Sequence, residues 1–572
     1  MIDYTPKAID AISTLEGVLR ASDAIKTMPY FEAVDADLMA QILNEAAKFV
    51  ASHISGLNRS GDEEGCAFVD GQVTTPHGFR DAYQAFYRAG WAALSAAPED
   101  GGQGLPLVLE FMLYEWLSGA NHAWTMAPGL LHGAYETIKH HASAELQAQY
   151  LPKIASGEWL ATMCITEAHA GSDLGLLQTK ALKAQDDASY RISGTKIFIS
   201  GGEHDLSDNI VHLVLARLPQ APAGTKGLSL FLVPKFNPDG QRSRVHCERI
   251  EDKMGIHASS TCVMRFDEAQ GWLIGEENKG LNAMFLMMNA ARLHVALQGI
   301  GLLDAALQKS QAYASERKQF KAVQPAQAGL PVASNGPSLI MEHPAIQKIL
   351  NKNQALIQCF RVLAYKTALE LDVAKHHPEP ARRQRALEWA NLVTPILKAS
   401  CTQYAFDGIS ECLQVFGGHG YVREWGIEQH LRDCRIAMIY EGTNEIQAID
   451  LMMRKVLPDQ GQALHNLLGV LLEELDGHEL TPQIKTVFDK ITAITQTCVR
   501  VSLDAGGHYQ LNWIMSEYLK LLTVGLLAWS AAAQVKACQS QSQAQWLTFV
   551  HWCLPEFDKN LATITDYLKV PV

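Results

Sequence analysis

A chain of 572 residues exceeds what one hydrophobic core serves, so two to four domains are expected. Its 48 Lys and Arg stand against 61 Asp and Glu, a formal net charge of -13 that argues against nucleic acid as a partner, and no apolar run approaches the ~20 residues of a membrane span. The 11 cysteines form no CxxC pair and the 21 histidines no HExxH, which points to reduced core thiols and leaves no metal ligand set; Met1-Ile2-Asp3-Tyr4-Thr5-Pro6 lacks the basic and apolar stretches of a secretory leader, so a cytoplasmic location is expected.

Residues 1–158 read as a helical N-terminal domain. Leu38 to Val50 and Gly78 to Leu94 are amphipathic, and the turn Pro98 to Gly104 follows. Short β-rich runs then alternate with turns over residues 159–276: 190–192, 195–199, 210–216, 228–233 and 261–266, with a turn at Gly194. A small, mostly antiparallel β-barrel is the economical architecture. Residues 277–457 return to helical spacing, with helices from Leu281 to about Phe320, His343 to Ala374, Arg382 to Phe416 and Thr443 to Val456, a four-helix bundle. The Pro/Ala/Gly/Ser-rich insert between Lys321 and Glu342 reads as a surface loop. Residues 458–572, with Trp513, Trp529, Trp546 and Trp552, form an additional helical extension. The predicted class is therefore mainly α with a central β domain.

Five segments carry chemistry. Cys164 to Leu174 offers hydroxyls and a small-residue turn, which suits a ligand or a plain β-turn; Ala170 removes the Gly-x-Ser-x-Gly nucleophile elbow. Phe198 and Ser200 share one side of a strand, where a ring beside a hydroxyl can back a flat cofactor or fill a core. Arg317 ends a helix, where the dipole alone favours a cation, though its guanidinium could also fork onto a pyrophosphate. The glycines of Gln414 to Tyr421 cap a helix or admit a ligand closely; they lack the third glycine and the strand of a dinucleotide fingerprint. In Tyr440 to Gln447, Thr443 suits an N-cap and Glu445 a first turn, with Glu441 just ahead of the helix. Alone, that octapeptide reads as a capped surface turn.

Taken in order, Thr166-Glu167 with Gly171-Ser172-Asp173, Arg317 to Phe320, Gln414 to Tyr421 and Tyr440-Glu441-Gly442-Thr443 resemble the motif set of the acyl-CoA dehydrogenases over roughly residues 35–456. The resemblance implies FAD-dependent oxidation of an acyl-CoA thioester to the trans-2-enoyl-CoA, with Glu441 as the base that takes the α-proton and the flavin receiving the β-hydride. An earlier helix carries the base in some relatives; here that position is Ala291. By the same resemblance Thr166, Ser172, Phe198 and Ser200 line the flavin, with Thr443 also at the cofactor. Arg317, Phe320, Gln414 and Gly418 hold the pyrophosphate and adenosine of a neighbouring subunit's FAD, and Ser172, Asn289, Arg292, Tyr440 and Gly442 meet the substrate. Ala168-His169 replaces the family's usual Pro-Gly, Phe198 its tryptophan, and Asn289 its acid. The insert and the extension resemble the long-form branch, which includes methylmercaptopropionyl-CoA dehydrogenases. An electron-transfer flavoprotein is the implied acceptor, a homodimer the implied assembly and 3-methylthiopropanoyl-CoA a candidate substrate. A flavin-dependent acyl-CoA oxidase using O2, or a non-catalytic flavoprotein of the same fold, would share the motifs.

Overall fold

In the computed structural model the chain forms two compact units, residues 48–294 and residues 1–47 with 295–572. Residues 2–185, 189–323, 336–537 and 542–569 are described. Most of the predicted surface loop, 324–335, lies outside them.

The unit of residues 48–294 begins with helices. Phe79–Arg88 buries Phe79, Ala82, Tyr83 and Phe86, the i, i+3, i+4, i+7 stripe of a helix with one face in the core. Strands β1 (Ala67–Val69) and β2 (Gln72–Thr74) form a hairpin within this stretch, which the sequence reading took as helical. Asp70 and Gly71 both take positive φ, 50° and 77°, the two-residue turn whose twist matches that of paired strands.

A seven-stranded sheet follows: β3 (Leu160–Cys164), β4 (Lys180–Lys183), β5 (Tyr190–Ser200), β6 (Ile210–Arg217), β7 (Leu228–Pro234), β8 (Val245–Ile250) and β9 (Thr261–Ile274). The order β6-β4-β5-β9-β7 closes through β7–β6 pairing, so the ring has no free edge there. Pairing is antiparallel except for β3–β6 and β4–β6. Ile192, Ile199, Val214, Phe231, Met264 and Phe266 fill the core. The two runs predicted around a turn at Gly194 are one strand, β5, with a register shift between Ile192 and Gly194. Gly194 is needed for close approach, because a Cβ there would collide with Thr179.

In the other unit, the second half of the Gly280–Glu316 helix joins Pro344–His376, Pro380–Val415 and Asn444–Ile449. Prolines at the first turns of the second and third suit helix entry, where no N–H partner is lost. Asp450–Val456 widens into π-helical turns where the sequence predicts one regular helix. The long helix stops at Glu316, short of Phe320. Residues 317–320 are taken instead by backbone bonds to a returning segment: Gln319 N–H donates to Ser338 (3.0 Å), Ser338 to Phe320 (2.7 Å) and Ile340 to Arg317 (2.7 Å).

The C-terminal helices belong to the same unit. Met515–Ala537 packs on Pro344–His376, Pro380–Val415 and Asn444–Ile449, and also on Thr481–Ser502, Ser542–Trp552 and Pro555–Leu568. The Ser400 and Thr523 hydroxyls meet at 2.5 Å across one of these contacts. Met515–Ala537 is long and apolar enough to cross a membrane by length and composition, against the expectation that no apolar run approaches such a span, but 83% of its apolar window is buried in this core.

Candidate active site

Glu441 stands on a turn held in unusual backbone geometry. Its φ is +55° and that of Gly442 is +84°. A non-glycine residue in the left-handed region costs on the order of 1–3 kcal/mol and persists where its surroundings over-determine it. The turn is anchored on both sides. Thr443 caps the following helix, its hydroxyl accepting from Ile446 N–H at 3.3 Å. Tyr440 donates its hydroxyl to Gln298, and burial pushes this phenol well above its ordinary value. From beneath, Lys398 Nζ donates to the Gly442 carbonyl at 2.6 Å, and Gln447 Nε2 donates to the carbonyls of Glu441 (3.1 Å) and Gly442 (3.3 Å). A Cβ on Gly442 would sit 2.8 Å from Gln447 Nε2, so only glycine admits that amide. Tyr440, Glu441, Gly442 and Thr443 thus form one braced element, and Glu441 is half-buried.

On the barrel, Thr166, Phe198 and Ser200 are brought together. Ile197 N–H donates to the Thr166 carbonyl at 2.9 Å, and this joins the exit of β3 to the end of β5. Phe198 has φ +60° and is 61% exposed, so its ring is presented rather than packed as a core aromatic. Behind this rim lies a buried ion pair. Lys196 Nζ donates to Glu167 Oε1 (2.8 Å) and the Ile165 carbonyl (2.9 Å). Glu167 also accepts from Thr179 N–H (3.0 Å), the Thr179 hydroxyl (2.6 Å) and Gln178 N–H (2.8 Å). Burial alone would raise the Glu167 carboxyl, but Lys196 and these donors outweigh it and hold the group below its usual value. Ser172 is exposed on the turn beyond, and His169, in the departure from the family's Pro-Gly, contacts the Leu176 carbonyl at 3.0 Å.

Arg317, Phe320, Gln414 and Gly418 are all exposed, Phe320 at 82% with φ +49°. The helix ends that carry them are stitched by Tyr313, which stacks on Phe416 (4.3 Å) and meets His419 Nδ1 at 2.9 Å. Gly417 has φ +58°, and added Cβ atoms at Gly417 and Gly418 would meet open space. Asn289 and Arg292 pair with each other: Arg292 is buried, and its Nη1 donates to Asn289 Oδ1 at 3.4 Å. Among the described residues no group of His, Cys, Asp or Glu is arranged to hold a metal ion.

Sequence reasoning missed Lys398, Gln447, Gln298 and the Glu167–Lys196 pair. One signal was available: Lys398 is the lone charge in the apolar run Pro395-Ile396-Leu397-Lys398-Ala399.

A closed β-barrel between helical regions in the chain, with a carboxylate on a braced turn at a helix entry, is the plan of an acyl-CoA-oxidising flavoenzyme. The chain matches the family models for the acyl-CoA dehydrogenase N-terminal domain (residues 39–158), middle domain (162–269) and C-terminal domain (333–456). It is 41% identical over 444 residues to 3-methylmercaptopropionyl-CoA dehydrogenase of Ruegeria pomeroyi, covering 77% of this chain and 74% of that protein. It is 34% identical over 504 residues to the broad-specificity linear acyl-CoA dehydrogenase FadE5 of Mycobacterium tuberculosis, covering 85% and 80%. Its fold is that of an acyl-CoA dehydrogenase complexed with FAD from Bacillus anthracis, with a TM-score of 0.75 at 20% identity over 96% of this chain and 91% of that one. The chain belongs to the acyl-CoA dehydrogenase family, a family of oxidoreductases.

Proposed function

We propose that the protein oxidises an acyl-CoA at its α,β carbons with Glu441 as the base. The observation that carries this reading is the braced left-handed turn, which holds a half-buried carboxylate at the mouth of a helix where a regular helix would not. A thioester α-proton is weakly acidic. Glu441 removes it while a backbone N–H of the turn stabilises charge on the thioester oxygen. FAD is the family's cofactor, and when bound it accepts the β-hydrogen as hydride. The residues present suit it. The exposed Phe198 ring and the Thr166 and Ser200 hydroxyls offer a flat face and polar partners, and Ser172 lies on the adjoining turn. Arg317, with Phe320, Gln414 and Gly418 on an open glycine edge, suits a pyrophosphate and an adenine. Thr443 stays with the cofactor end, and Tyr440, Gly442, Asn289 and Arg292 with the substrate.

The substrate in this reading is a short acyl-CoA of the 3-methylthiopropanoyl type, which the 41% identical relative supports. An electron-transfer flavoprotein is the acceptor, in a cytoplasmic β-oxidation-like step. Glu441→Gln keeps the side chain's volume and removes its basicity. The variant is expected to retain FAD and bind acyl-CoA while flavin bleaching slows by ~10²–10⁴-fold or more. Bleaching at the wild-type rate in anaerobic stopped flow sinks the assignment.

A further inference from the structure

Lys398 is a buried ammonium with a task that no apolar residue could perform. It has 0% of its surface exposed, beside Val393, Ile396, Leu397 and Ala399, which are also buried. Burying a charge is costly, and methionine or leucine would fill the same space without that cost. What they cannot do is hold a carbonyl. Nζ of Lys398 donates to the Gly442 carbonyl at 2.6 Å and to Asn444 Oδ1 at 3.2 Å. Asn444 is fixed in turn by Thr402 (3.2 Å) and by its own donation to the Ala399 carbonyl (3.1 Å). Gln447, also 0% exposed, holds the carbonyls of Glu441 and Gly442. Three hydrogen bonds therefore converge on two successive carbonyls from one buried side. They fix the two peptide planes that flank Gly442, and with them the direction of the Glu441 Cα–Cβ bond.

We propose that Lys398, assisted by Gln447, is the positioning residue for the base: its hydrogen bond to Gly442 keeps the left-handed Glu441 turn from relaxing and so aims the carboxylate. The inference rests on Glu441 being the base. Lys398, wholly buried, acts through the turn. Its loss leaves the Gly442 carbonyl without its charged donor, and the turn can trade its strained φ for an ordinary one.

The test separates proton abstraction from hydride transfer. An acyl-CoA with sulfur in place of its β-carbon can lose an α-proton but has no β-hydrogen to give. FAD-loaded wild type, Lys398→Met, Gln447→Leu and Glu441→Gln are incubated with it in D2O, and α-hydrogen exchange is followed by mass spectrometry. A misplacement of about 1 Å can cost about 10²-fold. Lys398→Met is therefore expected to slow exchange about a hundredfold with unchanged affinity for the analogue. Added to Glu441→Gln, it is expected to cost nothing more, because both changes remove the same event. A merely structural lysine would lower stability without this selective loss. Wild-type exchange in Lys398→Met, or a further hundredfold loss in the double variant, overturns the proposal. If Lys398→Met does not accumulate as folded protein, Gln447→Leu carries the same expectation, and wild-type exchange there overturns it. Wild-type exchange in Glu441→Gln alone would instead remove the base assignment, so the two failures are distinct.

Discussion

Among single side chains, the Glu167–Lys196 pair has the clearest energetic consequence. Both side chains are buried, at 5% and 0% exposure, and the pair ties the exit of β3 to β5 just behind Thr166 and Phe198. Breaking a buried pair strands a charge, which typically costs about 3–5 kcal/mol, whereas replacing both partners with apolar groups is often close to neutral. Glu167→Leu alone should therefore destabilise the fold strongly, and Glu167→Leu with Lys196→Met far less, as read by urea unfolding. The pH dependence follows from the depressed Glu167 carboxyl. A group whose folded pKa lies below its unfolded value lends stability above the unfolded value, and loses it as the pH falls through the folded one. Wild type should thus lose stability as the pH drops below about 4.5, the ordinary value, more steeply than the double variant does. Equal slopes for the two proteins would contradict the assignment.

Close helix crossings set the tolerance of whole elements. At Gly299 an added Cβ would stand 2.7 Å from the backbone oxygen of Cys401, which cannot step aside without moving the Pro380–Val415 helix. At Gly525 it would meet Ile491 Cδ1 at 2.5 Å, the movable end of a side chain. Alanine gains about 1 kcal/mol over glycine in a helix, which can offset the second contact. Gly525→Ala is accordingly expected to stay near wild-type stability. Gly299→Ala should lose about 1–3 kcal/mol through overpacking, measured by thermal and chemical unfolding. These crossings also explain what was legible beforehand. The helical spacing of 344–376 and 380–415 and the apolar runs of β6 and β7 were written locally, and so were found, whereas β3, β4 and β8 were not among the predicted runs. The Asp70-Gly71 hairpin carried a readable turn signal inside a region dominated by helical residues. The end of the long helix at Glu316 was hidden, because the segment that captures residues 317–320 returns from 338–340. The site divides in the same way. Glu441 and its neighbours form a contiguous motif. Lys398 precedes them on another helix, and Glu167 meets Lys196 across strands, so neither partnership exists until the chain folds.

For the molecule as a whole, we propose that the exposed Arg317, Phe320, Gln414 and Gly418 contact the FAD of a second copy. A shared cofactor makes a closed two-fold homodimer the smallest complete form. Light scattering of FAD-saturated protein should give about twice the 62.9 kDa chain mass. Arg317→Ala should weaken FAD binding and the dimer together by mass action; a fully active monomer would refute the shared site. The central claim is tested most directly by the product. FAD-loaded protein is mixed anaerobically with 3-methylthiopropanoyl-CoA, and separately with straight-chain acyl-CoAs, and the thioester is weighed by mass spectrometry while the flavin spectrum is recorded. The account predicts that the thioester loses two hydrogens for each flavin bleached, and that this conversion is lost in Glu441→Gln. Intact flavin with an unchanged thioester across the panel, or cleavage to free CoA, would contradict it.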